Sequence, residues 1–145
     1  MSEEDILRQQ RLRKRDALRE AGVDPYGSRF DGSRAIDGLR AEVAGLPPIA
    51  PGERSSLRAR VAGRIVLLRD MGKLAFSTIR DGVGTLQLGL SKNDLGDAGW
   101  AIVKLLDLSD IIGVEGVIGR TKTNELTLWV DRLTVLAKSL RPPPE

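Results

Sequence analysis

The 145-residue sequence contains no cysteine and no histidine. Those two absences exclude disulfides, thiolate or imidazole metal sites, cysteine nucleophiles and every catalytic dyad built on histidine. Few enzyme chemistries remain. Aromatic residues make up only 3% of the chain, so its 41% hydrophobic content rests on leucine, valine, isoleucine and alanine. Any aromatic pointing toward water therefore stands out. No apolar run approaches the roughly 18 residues of a membrane span. The N-terminus, MSEEDILRQQRLRKRD, carries charges where a signal peptide would need an apolar segment. A soluble protein in an intracellular, cytoplasmic setting is the expectation. No GxxxxGK[ST] phosphate loop occurs, and MGK alone is too short to stand for one.

The net charge of +3 and pI near 9.6 are too mild to identify a nucleic-acid binder. How the charge is distributed says more. Residues 3–21 read as a helix, with Glu3, Glu4 and Asp5 in the first turn and Gly22 as its stop. At 100° per residue Ile6, Leu7, Ala17, Leu18 and Ala21 share an arc beside a stripe of Arg8, Arg11, Arg15 and Arg19. Leu12 falls beyond the stripe and Lys14 within the apolar arc. The stripe is either a solvated face, tied by pairs such as Glu4 with Arg8 and Asp16 with Arg19, or a ridge that contacts phosphates.

Residues 23–56 are dense in glycine, proline, serine and aspartate and read as a connecting segment. A short helix from about Arg34 to Ala44 is expected within it, capped by Ser33 and stopped by Gly45. Prolines 47, 48 and 51 then extend the chain toward a boundary near Ser55. From Leu57 to Lys138 the period changes to two. LRARVAGRIVLLRD is a long first strand with Gly63 at a bend or bulge, and KLAFSTIR and TLQLGL form a hairpin around DGVG. GDAGWAIVKLLDL reads as a short helix, followed by the strands DIIGVEGVIGR and NELTLWVDRLTVLAK. This is mainly β structure with an N-terminal helix. Five strands with a helix between the third and fourth follow the order of an OB-fold, a small Greek-key barrel that often binds oligonucleotides on its second and third strands. Residues 139–145, SLRPPPE, look like the start of a linker.

The leucines of the third strand, Leu86, Leu88 and Leu90, must face the core. If the four-residue loop Asp81 to Gly84 sets the register, Arg80 faces Thr85, Thr78 faces Gln87 and Phe76 faces Gly89. Phe76 then shares the outer face with Gln87, as an apolar platform with open space over the glycine opposite. A base could stack on this ring, and the amide of Gln87 could meet the N3–H and O4 of uracil. By itself that amide could flip to suit cytosine. A fixed donor such as Arg69 would break the tie. Alternatively, Phe76 closes one side of the barrel beneath a loop or the N-terminal helix.

The strings RLRKRDALREAGVDPYGSRF, VAGRIVLLRDMGKLAFSTIRDGVGTLQL, LDLSDIIGVEGVIGRTKTNELTL and LTVLAKSLRPPPE, in that order and spacing, resemble the N-terminal anticodon-binding region of class II lysyl-tRNA synthetases. The resemblance covers nearly the whole chain. Aspartyl and asparaginyl synthetases resemble it in the barrel, but RDMGK, RTKTNEL and KSLRPPPE look lysyl. The resemblance implies an OB-fold that binds the U-rich anticodon loop of lysine tRNA. It implies that Phe76 stacks on the middle anticodon base, that Gln87 and Arg69 read its edge, and that Glu125 contacts the first base. The alternative for Glu125 is an acid at a strand start, paired with Lys122 or Arg120. The parent enzyme it implies is an ATP-dependent homodimer. Its catalytic domain, holding ATP, lysine and Mg²⁺, lies beyond residue 145, so this chain is expected to be inactive alone, without metal or cofactor. The sequence departs from the family at Gly89 and Gly119, where an aromatic is common, and at Asn124, where a glycine is common.

Two other functions fit the sequence. One is a stand-alone OB-fold binder of single-stranded nucleic acid, against which the scarcity of stacking aromatics argues. The other is a synthetase-like appendage of a lysine transferase acting on membrane lipid.

Overall fold

The computed structural model describes residues 2–26 and 29–140. Most of the expected linker, residues 141–145, lies outside them. Helix α1 spans Glu3–Glu20 and begins with a capping box, in which Ser2 accepts from the Asp5 amide while the Asp5 carboxylate accepts from the Ser2 amide. It ends in a Schellman motif. The Val23 amide bonds the Leu18 carbonyl, the Gly22 amide bonds that of Arg19, and Gly22 takes a φ of 80°. Helix α2 spans Ile36–Ala44, two residues shorter at its start than expected. Ser33 does not cap it, because the N-cap position is Ala35. The carboxylate of Asp81 instead accepts from the Ile36 amide at 2.8 Å.

Strands β1 (Arg54–Asp70), β2 (Leu74–Arg80), β3 (Thr85–Ser91), β4 (Ile111–Arg120) and β5 (Leu126–Ala137) close into a barrel in the order β1-β2-β3-β5-β4, with helix α3 (Lys92–Val103) between β3 and β4. The mainly β, five-stranded OB-fold expected from the sequence is what forms. β1 starts three residues earlier than expected and serves two neighbours. Its first part pairs with β4 and its last part with β2, and Arg64 faces both Arg80 and Ile111. The bulge falls at Val66, not at Gly63. Gly63 serves a close approach, since a Cβ there would come within 2.8 Å of the Arg80 carbonyl oxygen.

α3 also starts earlier than expected, and it ends at Val103. Ser91 caps a first turn, and Gly96, at φ 74°, kinks the chain into the second piece. Only that second piece matches the helical pattern in the sequence. The core is aliphatic. Leu86, Leu88 and Leu90 of β3 are fully buried with Ile65, Ile79, Ile112, Val114, Ile118, Leu128 and Val130. Among the described residues, no helix is long and apolar enough to cross a membrane.

α1 docks differently from the arc drawn on its sequence. Leu18 is fully buried, but Ile6 and Leu7 are exposed, and Arg11 is buried. The surface beneath the helix presents acceptors, so cations face it. Arg11 donates to the carbonyls of Leu108 at 3.0 Å and Ser139 at 3.2 Å, and Lys14 pairs with Asp107 at 2.7 Å. Lys138, whose side chain is fully buried, completes this knot by bonding both Asp107 and Asp110. Arg11 is thus withdrawn from the expected ridge. Arg8 is exposed, whereas Arg15 and Arg19 lie beside Asp16 at 3.3 and 3.9 Å. The expected pair of Glu4 with Arg8 is not among the ion pairs of the described residues.

Candidate nucleic-acid interface

The hairpin register is the expected one. Arg80 faces Thr85, Thr78 faces Gln87 and Phe76 faces Gly89. On its other side Phe76 pairs with Arg69 of β1. β3 also runs parallel to β5, and there Gln87 meets Thr127 and Gly89 meets Trp129. The outer face of β2 and β3 is thereby continued onto the start of β5.

An open cleft of about 740 Å³ lies over this face, lined by Arg69, Phe76, Gln87 and Glu125 together with Trp129 and Arg54. All four residues assigned to base contact converge on it from β1, β2, β3 and the turn before β5. Neither α1 nor α2 lines it, so Phe76 is half-buried at a cleft wall and is not covered by the N-terminal helix. Among the described residues the lining carries Arg54, Arg69, Arg120 and Lys122 against a single acid, Glu125. Such a concave cationic surface attracts a phosphate backbone.

The open space expected above Gly89 is filled. The indole of Trp129 lies across β5, and a Cβ at Gly89 would overlap its six-membered ring. At Gly119 a Cβ would come within 3.0 Å of Trp129 Nε1. The two glycines are the seat of one tryptophan. Phe76 stands against it at 67°, with ring centroids 6.0 Å apart. The guanidinium of Arg54 sits 4.7 Å from the indole centroid and is held there by Asp94 through two bonds, at 2.9 and 3.2 Å. Ser91, the cap of α3, also bonds Asp94. The indole N–H is buried without a partner among the described residues.

Trp129 was not singled out from the sequence. Its only signal is indirect: two glycines on the strands that flank β5, at positions where the resemblance leads one to expect aromatics. The same device recurs elsewhere on the barrel, where Phe30 covers Gly113 and Arg60 stacks 3.7 Å from the ring.

Arg69 is exposed, and among the described residues no hydrogen bond or ion pair holds its side chain. Glu125 is exposed and forms no ion pair with Lys122 or Arg120; Arg120 donates to the Asn124 carbonyl instead. Asn124 takes a φ of 71°, a left-handed conformation that suits glycine and that asparagine tolerates. Gln87 is half-buried, and its Nε2 donates to Thr127 Oγ1 at 3.0 Å.

Comparison with known proteins identifies the family of the barrel. Residues 59–136 match the tRNA anti-codon family, described as an OB-fold nucleic acid binding domain. The chain is 44% identical over 139 residues to a lysine–tRNA ligase of Synechococcus sp. (strain CC9311), covering 96% of the chain and 28% of that protein. It is 40% identical over 135 residues to the lysine–tRNA ligase of Listeria innocua serovar 6a, covering 93% of the chain and 27% of that protein. The chain therefore spans a little over a quarter of the length of these relatives. A closed barrel with a cationic, aromatic-walled cleft on its second and third strands, matched over more than half its length, places this chain in the tRNA anti-codon family of OB-fold nucleic acid binding domains.

Proposed function

We propose that this chain is the anticodon-recognition module of a cytoplasmic lysine–tRNA ligase and binds the U-rich anticodon loop of lysine tRNA. Four residues drawn from across the barrel meeting on one cationic cleft is the observation that carries this reading. The middle base stacks on Phe76, Gln87 meets its edge, Arg69 closes on it as it binds, and Glu125 accepts the N3–H of the first base. Uracil has that donor and cytosine lacks it. Exposed cations such as Arg8 and Lys122 position phosphates without selecting a sequence. ATP, Mg²⁺ and the transfer of lysine belong to the remainder of a homodimeric parent enzyme.

Trp129 lends weight to one other reading, because a second aromatic is what an unselective single-strand binder uses. Titration of the chain with anticodon stem-loops bearing UUU, CUC or GGG, at one salt concentration, separates the two. A preference for UUU is expected, with Phe76→Ala weakening it about tenfold or more, since stacking on such a ring is worth about 1–3 kcal/mol. Equal affinities would leave only the unselective binder.

A further inference from the structure

The amide of Gln87 reads a base only if one of its two orientations is fixed, because its oxygen and nitrogen exchange places on a half-turn and demand opposite partners. The residue that can fix it is fully buried beneath the cleft. Thr127 has no exposed surface and stands beside Gln87 in the parallel ladder of β3 and β5. Its hydroxyl has one hydrogen, which it donates to the Glu125 carbonyl at 3.0 Å. Toward Gln87 the same oxygen can therefore only accept, and the atom it meets at 3.0 Å is Nε2.

We propose that Thr127 is a positioning residue that locks the Gln87 carboxamide with its oxygen toward the cleft and so makes the site select uridine over cytidine. The proposal rests on the reading of the cleft given above. Turned the other way, Gln87 would bring its oxygen against the lone pairs of Thr127 with no hydrogen between them. The alternative of redirecting the hydroxyl gives up its bond to Glu125. That carbonyl is itself anchored, since it also accepts from the Thr121 amide at 3.0 Å. The relay thus runs from the turn that carries Glu125, through Thr127, to Gln87. No protein donor reaches the Gln87 oxygen among the described residues, so it is left to accept from a ligand. Uracil offers N3–H there, whereas cytosine presents a lone pair at the same atom, and two acceptors repel. A free amide would turn over to suit cytosine at little cost. A locked one does not.

The test uses the whole chain with Thr127→Val and Thr127→Ser, titrated at fixed salt with two stem-loops that differ only in the middle base, UUU and UCU. The readout is the ratio of their dissociation constants, in which any loss of folded protein cancels. Thr127→Val should lower the ratio about fivefold, the equivalent of one net hydrogen bond, while UUU affinity moves less than about threefold. Thr127→Ser should keep the ratio. An unchanged ratio in Thr127→Val overturns the proposal while leaving the cleft's preference for U intact. A wild-type ratio of one overturns it together with the reading of the cleft. A second measurement needs no RNA. In ¹⁵N-labelled protein one Nε2 proton of Gln87 should exchange slowly and lie close to the Thr127 methyl group. Averaged Gln87 amide protons without that contact overturn the relay whatever the RNA does.

Discussion

Gly89→Tyr, made alone, would drive a side chain into the indole of Trp129, and overpacking of this kind typically costs about 1–3 kcal/mol. Trp129→Ala, made alone, would leave the two glycines bare at the cleft floor. Together the substitutions relieve one another. The double variant should be more stable than the sum of the two single effects, with a coupling of about 0.5–3 kcal/mol in a denaturant double-mutant cycle. An additive cycle would show that the two positions do not compete for one space. These residues also mark where the sequence was legible at this scale. The pairing of Phe76 with Gly89 could be read because a four-residue loop and three core leucines leave one register. The position of Trp129 could not, because it depends on β3 running parallel to β5, a contact between residues 40 apart in the chain that no local pattern encodes. Thr127 was hidden for the same reason, and the lock on Gln87 with it.

Asp81 holds two elements at once. Its carboxylate accepts from the amides of Val83 and Gly84 inside the hairpin loop and from that of Ile36 at the start of α2. Arg40 of α2 reaches back to the Thr85 carbonyl at 2.8 Å. The helix and the hairpin that carries Phe76 and Gln87 are thus fastened at one carboxylate. Burial works to raise the pKa of Asp81, but the bonds from Ile36, Gly84 and Val83 outweigh it and hold the carboxyl below its usual value. A carboxyl with a depressed folded-state pKa stabilises the protein fully above its unfolded value of about 3.9, and that stability is lost as the pH falls through the lower folded value. Asp81→Ala should cost about 1–2 kcal/mol at neutral pH, as for other lost caps, and the gap from wild type should narrow below about pH 4. Denaturant midpoints measured from pH 2 to 7 would show it; a gap independent of pH would mean the charge has no part in it. Sequence reasoning found α2 and its glycine stop but gave its start to Ser33, because a search for caps looks a residue or two upstream and the acceptor lies 45 residues downstream. α3 shows a similar limit, since its first turn is set by Ser91 and Asp94 before the positive φ of Gly96 breaks the pattern.

Across the whole molecule, the barrel was legible because alternation and strand order are properties of long segments. The docking of α1 was not. Counting charge as outward is sound for most helices, yet here the side that meets the barrel carries Arg11 and Lys14, because that surface offers the Leu108 and Ser139 carbonyls and the Asp107 carboxylate. Breaking a buried ion pair by removing one partner typically costs about 3–5 kcal/mol, because the Asp107 and Asp110 carboxylates would lose their buried cation at Lys138. This has a consequence for motion in time. Helices at chain ends usually fray, and their amide hydrogens exchange through small local openings. In α1 the grip lies from Arg11 to Leu18, deep in the helix, and its partners are the residues just after β5 and the loop before β4. The second half of α1 should therefore exchange its amide hydrogens only as β5 does, with nearly the same opening free energy, while the first two turns exchange freely. Arg11→Met should uncouple them, lowering protection in α1 alone. What the chain order makes look like an appendage would then keep the barrel's own clock.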